Sequence, residues 1–358
     1  MHPKRTQHVV DLMNLMNMPN RNNVGKNTDV SIVVPAYNEE ANLAELYSEL
    51  LKVLSVLSVS WELIISDDGS TDRTWDAIVA LHKKDKNVRG VRLSRNFGHQ
   101  YALYAGLALA AGQAVISMDA DLQHPPGLIP ILIGRWREGY KIVLTVRLAS
   151  NNVPLWKRTT SRLFYSLLSF LSAVRIEEGM ADFRLLDRQV VATLLKCREG
   201  GLFLRGLVPW IGYPSCKVEY QPQRRFAGKT KYSLIKMLRF AWNGIVSFSV
   251  VPLRAGVVIG MITSFIAFGG ILYALYAKFI SGTAVPGWAS AVSIISFLFG
   301  VLFVILGVMG EYIGRIFMEV RGRPRFVIDE LVGIDPGLRE EFDSRFSTSI
   351  PGKWPSEI

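Results

Sequence analysis

Ala114-Val115-Ile116-Ser117-Met118-Asp119-Ala120-Asp121 is the stretch on which the reading of this chain turns. Its first five residues are an apolar run of strand character. Two carboxylates follow at once, so both emerge where a buried strand of an α/β sheet stops, and such sheets bind ligands at the carboxyl ends of their strands. Two acids spaced two residues apart, with Gln123 next, suit a hard divalent cation that keeps some waters and takes its remaining ligands from a diphosphate. The pattern reads as a nucleotide-sugar site. Taken alone, Asp-x-Asp is also an ordinary loop pair that caps the next helix, so the surrounding chain has to decide.

Outward from this stretch the chain alternates strand and helix. Strands are expected at residues 30–35, 61–66, 88–93 and 114–118, and helices at 39–57, 74–84 and 99–111. Such alternation predicts a mostly parallel sheet wrapped by helices. Each strand end carries polar chemistry. Pro35-Ala36-Tyr37-Asn38-Glu39 follows the first strand, where a ring can stack on a base and a carboxylate can accept from a ribose or a base N–H. Asp67-Asp68-Gly69-Ser70-Thr71-Asp72 follows the second and is, by itself, equally a turn with a helix cap. Three acidic strand ends on one edge of a sheet need a cation or a hydrogen-bonding ligand to be tolerated. No Gly-x-Gly-x-x-Gly follows the first strand, which argues against a dinucleotide-binding oxidoreductase.

At 358 residues the chain exceeds one α/β domain. Residues 255–277 and 279–310, runs of 23 and 32, carry no charged side chain, whereas about 20 apolar residues cross a bilayer. Two membrane-spanning helices are expected. Arg254 precedes the first, Arg315, Arg321, Arg323 and Arg325 follow the second, and the connecting loop offers only Lys278. The excess of arginine places both ends on the cytoplasmic side, giving a multi-pass protein of the inner membrane with its soluble portion inside the cell. Residues 1–28 are polar, rich in Asn and Met and without a secretory pattern, and are expected to form a disordered extension. Cys197 and Cys216 fit a reducing compartment and have no metal-type spacing. The net charge of +11 invites a nucleic-acid reading, but the basic residues are not gathered into one helix or tail with interleaved aromatics. Lipid head groups, a nucleoside diphosphate and a lipid phosphate explain the sign of the charge without nucleic acid.

Val33-Val34-Pro35-Ala36-Tyr37-Asn38-Glu39-Glu40, Asp67-Asp68-Gly69-Ser70-Thr71-Asp72, Leu93-Ser94-Arg95-Asn96-Phe97-Gly98-His99-Gln100 and Asp119-Ala120-Asp121-Leu122-Gln123-His124-Pro125-Pro126 together resemble the polyisoprenyl-phosphate glycosyltransferases of glycosyltransferase family two, bactoprenol (undecaprenyl-phosphate) glucosyltransferases above all. The likeness extends over roughly residues 30–328 and includes Gly179-Met180-Ala181-Asp182-Phe183-Arg184, Gly310-Glu311-Tyr312-Ile313-Gly314-Arg315 and Arg323-Pro324-Arg325. It implies a Rossmann-like, GT-A type α/β sheet, then an interfacial amphipathic helix and two transmembrane helices. It also implies inverting transfer of a sugar, glucose from UDP-glucose in the first instance, onto undecaprenyl or another polyprenyl phosphate. Pro35, Tyr37, Glu39, Asp68 and Asp119 would bind the nucleotide sugar, Asp119, Asp121 and Gln123 would hold Mg²⁺ or Mn²⁺, and Asp121 and Asp182 would be the catalytic carboxylates. Homo-oligomers are implied as well, and Gly256-x-x-x-Gly260 and Gly310-x-x-x-Gly314 permit close helix approach either between copies or between the two spans of one chain.

Asp182 would accept the last proton or orient the sugar hydroxyls, or else pair with Arg184 in a loop; Ala181 stands where relatives usually have Gly. A lipid phosphate calls for cations near the membrane surface. Arg225, Lys229 and Lys231 supply them just before residues 233–250, which mix Lys236 and Arg239 with Leu, Phe and Trp242 and read as the interfacial helix. Arg147 and Arg158 would complete the pocket. The expected organisation is an extension at 1–28, a catalytic domain at 29–231, an interfacial helix at 232–253, a two-helix membrane region at 254–314 and a cytoplasmic tail at 315–358. A processive polysaccharide synthase would show more spans and a Gln-x-x-Arg-Trp motif, and Gln221-Pro222-Gln223-Arg224-Arg225 lacks the Trp. A non-catalytic membrane-anchored nucleotide-binding scaffold would need neither the acid pair with Gln123 nor the basic loop.

Overall fold

The computed structural model describes residues 28–148, 180–197, 202–221, 251–280 and 287–334. β1 (Val30–Ala36), α1 (Glu40–Leu54), β2 (Trp61–Asp67), α2 (Thr74–Lys84), β3 (Val88–Leu93), α3 (His99–Leu109) and β4 (Ala114–Ser117) succeed one another as the alternation predicts. They are followed by α4 (Ile129–Arg137), β5 (Ile142–Arg147), β6 (Met180–Asp187), α5 (Arg188–Lys196), α6 (Leu204–Trp210), β7 (Ser215–Tyr220), α7 (Val251–Phe279), α8 (Trp288–Val320) and β8 (Ile328–Val332). The sheet order is β7-β5-β6-β4-β1-β2-β3-β8. β4, β1, β2 and β3 run parallel, β6 and β8 pair antiparallel with β4 and β3, and β5 is antiparallel to β6 and parallel to β7. The fold is thus GT-A-like, a mixed sheet built on a parallel centre.

Every residue of β1 is buried, as a strand covered on both faces requires. Side-chain alternation sends Ile32 and Val34 to the face covered by Leu43, Leu46 and Leu50 of α1. Val33, with Ile64 and Val91 from the neighbouring strands, goes to the face covered by Ala102, Leu103 and Leu107 of α3. That second cover lies unusually close. A Cβ on Gly106 would collide with Val33 and stand 2.7 Å from the hydroxyl of Ser66, which accounts for the small residues of α3.

The strand order reverses between β1 and β4, and that reversal is where an open α/β sheet leaves a crevice at its carboxyl edge. The acid pair follows β4 directly. Two features differ from the alternating pattern. β6 inserts antiparallel beside β4, and β8, from the segment after α8, returns to pair with β3, so the tail contributes an edge strand to the sheet.

The first charge-free run lies in α7, and residues 288–310 of the second lie in α8, helices of 29 and 33 residues. Among the described residues one stretch, Phe297–Val320, is long and apolar enough to cross a membrane, while α7 carries the shorter apolar stretch Ala255–Gly270. The expectation of two spans is therefore met by one helix on these grounds. Gly256 faces Ile305 of α8, whereas Gly260, Gly310 and Gly314 have no neighbour within 4 Å of where a Cβ would stand. The interfacial helix expected before residue 250 lies outside the described residues.

Candidate active site

The turns after β1 and β2 are stitched together by short polar side chains. Asn38, in the left-handed region at φ 56°, offers its amide to Ser70 Oγ at 2.9 Å and accepts from the Thr71 amide at 2.9 Å. α1 has no capping side chain of its own. Its first amides are met from the other turn, Glu39 N by Thr74 Oγ1 at 2.9 Å and Glu40 N by Asp72 Oδ2 at 3.4 Å. Asp67 Oδ1 accepts from the Ser70 amide at 2.9 Å, which is the local-turn role. Asp68 does something else. It is 2% exposed, and its carboxylate takes the Phe97 amide at 2.8 Å and the Gly98 amide at 2.9 Å, fixing the loop that opens α3. Burial pushes the Asp68 carboxyl up, and those two amides offset this only in part. Of the residues expected at the nucleotide, Pro35 lies in β1 and Tyr37 is exposed beside the stitched turns. Glu39 accepts from the Asn42 side chain.

The acid-pair loop is held by a histidine. His124 is fully buried, stacks on Phe183 of β6 with ring centroids 5.2 Å apart, and accepts the Asp119 amide on Nδ1 at 3.0 Å. Leu122, between Asp121 and Gln123, is buried and held at φ 61°, a strained position for a residue other than glycine. The result presents Asp119 and Asp121 on one short turn, with Asp121 Oδ1 accepting from the Gln123 amide at 3.2 Å. Asp119 Oδ1 has no hydrogen-bond partner among the described residues although the atom is inaccessible to solvent. That oxygen, without a hydrogen bond and 3.5 Å from His99 Nε2, together with a second, buried carboxylate at Asp121 fits a cation. Among the described residues no three His, Cys, Asp or Glu side chains converge on a metal position. A two-carboxylate set leaves the rest of the coordination to Gln123, water and a diphosphate, the habit of Mg²⁺ and Mn²⁺.

Arg147, at the end of β5, reaches this loop. Its Nε donates to Tyr220 Oη at 2.9 Å and Nη1 to Gln123 Oε1 at 3.4 Å, while Nη2 lies 3.0 Å from His124 Nε2. Since the Asp119 amide can only donate, His124 Nδ1 is the unprotonated nitrogen and Nε2 carries the proton, its pKa held down by burial. Nη2 of Arg147 therefore faces a donor rather than an acceptor. Arg158, Arg225, Lys229 and Lys231 lie outside the described residues.

Asp182, on β6, is the most heavily engaged carboxylate. Arg184 Nη2 donates to it at 2.7 Å and Arg205 Nη2 at 2.8 Å, with Gln100 Nε2 at 3.4 Å. Burial alone would raise its pKa; Arg205, the His99 contact and Arg184 outweigh that and hold the carboxyl well below the usual range. The loop pairing with Arg184 is thus present, reinforced by Arg205 from α6. His99 joins the two acidic groups. Its Nε2 lies 3.5 Å from Asp119 Oδ1 and 3.5 Å from Asp182 Oδ2, and its ring is partly open to solvent. The acid-pair loop, Asp182 and Arg147 are consequently joined through His99 and His124. Sequence reasoning assigned no role to His99, Gln100, His124 or Arg205. The first three stood inside the quoted motifs, whereas Arg205 carried no local signal because its partner is 23 residues away.

The sequence model of "Glycosyl transferase family 2" matches residues 31–195. An uncharacterized glycosyltransferase of Synechocystis sp. is 39% identical over 86% of this chain and 96% of its own length. A prophage bactoprenol glucosyl transferase homolog of Escherichia coli is 38% identical over 84% of this chain and 98% of its own length. Among solved structures, glucosyl-3-phosphoglycerate synthase of Mycobacterium tuberculosis aligns at 20% identity and a TM-score of 0.43, covering 62% of this chain and 77% of that one.

Proposed function

Because this chain belongs to glycosyl transferase family 2 and is a glycosyltransferase, we propose that it moves a hexosyl group, glucose from UDP-glucose, onto undecaprenyl or a related polyprenyl phosphate. Transfer occurs with inversion at the cytoplasmic face of the inner membrane, to which the chain is anchored by two spans. The near full-length match to proteins named bactoprenol glucosyl transferase supports the acceptor and the sugar. The observation that carries the site is the position of His99, 3.5 Å from both Asp119 and Asp182, which brings the acid-pair loop and the Asp182 cluster together.

In this reading the stitched turns with Pro35, Tyr37 and Glu39 receive the nucleotide, and Asp68 holds the loop behind them. Asp119, Asp121 and Gln123 would hold Mg²⁺ or Mn²⁺, which supplies charge neutralisation on the departing diphosphate. Arg147, with one guanidinium nitrogen facing a donor, turns to an anionic oxygen when one arrives. Arg158, Arg225, Lys229 and Lys231 complete the acceptor's phosphate pocket. A phosphate monoester has a second pKa of about 6, so the acceptor is largely a dianion at neutral pH and needs no base. One of its oxygens forms the bond to the anomeric carbon as the bond to the diphosphate breaks on the opposite face, which inverts the centre. Asp182, ionised and clamped by two arginines, is suited to orienting His99, Gln100 and Arg205 rather than to accepting a proton.

The test is to incubate membranes containing the protein with undecaprenyl phosphate and, separately, radiolabelled UDP-glucose and other nucleotide sugars, then to identify the lipid product. The expected result is a labelled, acid-labile glycolipid from UDP-glucose that requires the added polyprenyl phosphate and is abolished by EDTA. Label incorporated only into polymer, or none from any donor, would remove the proposal.

A further inference from the structure

Asp67, Arg92 and Glu330 are register partners on three adjacent strands. Asp67 of β2 stands opposite Arg92 of β3, and Arg92 stands opposite Glu330 of β8. The order acid, base, acid across the sheet places opposite charges side by side. Glu330 is held at both oxygens, by Arg92 Nη1 at 2.9 Å and by Trp75 Nε1 at 3.0 Å. Arg92 in turn directs Nε to Asp67 Oδ2 at 3.7 Å. Asp67 is fully buried, and that Oδ2 has no hydrogen-bond partner among the described residues.

Asp67 is where the ladder meets the nucleotide end of the site. Its other oxygen shapes the turn through the Ser70 amide, Ser70 Oγ holds the Asn38 amide, and Asn38 sits between Tyr37 and Glu39. β8 itself is anchored by the residues that precede it. Arg325 donates to the Cys197 carbonyl at 2.7 Å and lies over the Tyr104 ring, and Phe326 packs against the same ring. α8 ends at Val320, and seven residues separate it from the start of β8 at Ile328.

We propose that Arg92 and Glu330 are positioning residues for donor binding, so that the strand following the long apolar helix sets the nucleotide turn through this three-strand ladder. The proposal rests on the donor site described above. The physical reason is the buried oxygen of Asp67. Without Glu330 the partly exposed Arg92 side chain gains rotamers by turning to water, and the carboxylate loses the cation that faces it while Asp72 and the adjoining Asp68 remain. Burial already pushes the Asp67 carboxyl up and Arg92 opposes this, so loss of the ladder raises it further and the neutral acid is a poor acceptor for the Ser70 amide.

The test uses the full chain in nanodiscs. Glu330→Gln keeps the size and an oxygen for Trp75 but removes the charge; Arg92→Gln and the double variant complete a cycle. Binding of UDP and of GDP with Mg²⁺ is measured by calorimetry from pH 5 to 8, beside the KM for polyprenyl phosphate, thermal unfolding and hydrogen exchange at the Ser70 amide. Glu330→Gln should weaken nucleotide affinity about 3- to 10-fold. The acid limb of binding should move to higher pH, Ser70 exchange should quicken, and the acceptor KM and unfolding temperature should hold. The double variant should be no worse than Arg92→Gln. Unchanged affinity and Ser70 exchange in Glu330→Gln, additive effects in the double variant, or a loss that merely follows a lowered unfolding temperature overturn the proposal. A wild-type protein that binds neither nucleotide defeats the proposed function instead, and the Ser70 exchange then still decides whether the ladder holds the turn.

Discussion

Asp119 and Asp121 lie two residues apart yet are held differently, the first through its backbone by buried His124 and the second through its own carboxylate by the Gln123 amide. Asp121→Asn preserves that acceptor oxygen and the size of the side chain while removing one charge. Transfer should fall by at least about 100-fold with the fold intact, as for loss of one electrostatic contact to the departing group. Near-normal turnover of this variant in a steady-state assay, or of wild type in excess EDTA, would detach the acid pair from any metal. Asp182 invites a different experiment. Asp182→Asn leaves Arg184, 2% exposed, without its counter-charge, and removing one partner of a buried pair costs about 3–5 kcal/mol. The pH dependence follows from the sign of the shift. Since the folded-state pKa of Asp182 is depressed, its stabilisation is complete above the ordinary carboxylate range and is lost only as pH falls through the folded value. Urea unfolding at pH 5, 6.5 and 8 should therefore give the same deficit for the variant. A deficit that disappears by pH 5 would mean that Asp182 titrates near neutrality and is available as a base.

At the scale of elements, the nucleotide end depends on two loops approaching more closely than side chains allow. Gly69 adopts φ 64°, and a Cβ there would stand 2.5 Å from the carbonyl carbon of Arg95 and 2.7 Å from its Cα. Backbone cannot give way as a flexible side chain can. Gly69→Ala should therefore displace the turn after β2 from the loop before α3, at a cost of about 1–3 kcal/mol. The donor KM should rise more than the acceptor KM, since the same turn carries Ser70 and Thr71, which hold Asn38. Equal changes in both constants would place the fault in the domain as a whole. The strand–turn–helix punctuation behind this arrangement was readable in the chain. The helix expected over 74–84 and the strand over 88–93 occur with those bounds, and α3 stops at Leu109 rather than at residue 111. The antiparallel strands were not read, because β6 and β8 mix apolar with charged residues outside the strand–helix alternation, and their direction depends on the partner they meet.

For the whole molecule, the arginine bias around the apolar runs makes the topology testable. In the two-span arrangement Thr283→Cys should react with an impermeant thiol reagent added outside spheroplasts, while Ser70→Cys and Ser347→Cys should be protected until lysis. Labelling of Ser70→Cys from outside would overturn it. α8 bears on the same question through its length. Its 33 residues rise about 50 Å at 1.5 Å each, more than the roughly 30 Å hydrocarbon core of a bilayer, so the helix would continue beyond the apolar layer toward β8. By itself the sequence determined the alternating α/β order, the strand ends that carry Asp67, Asp68, Asp119 and Asp121, and the apolar helices. Each of these is written in local periodicity or in adjacent residues, where hydrophobic pattern and turn chemistry act over a few positions. Only the tertiary structure decided that His99 spans Asp119 and Asp182, that Arg205 shares the charge of Asp182, and that Glu330 reaches Arg92 across 238 residues of chain. Those contacts come from sheet order and strand register, and a buried carboxylate takes its counter-charge from whichever strand or helix packs beside it, however far along the chain that lies.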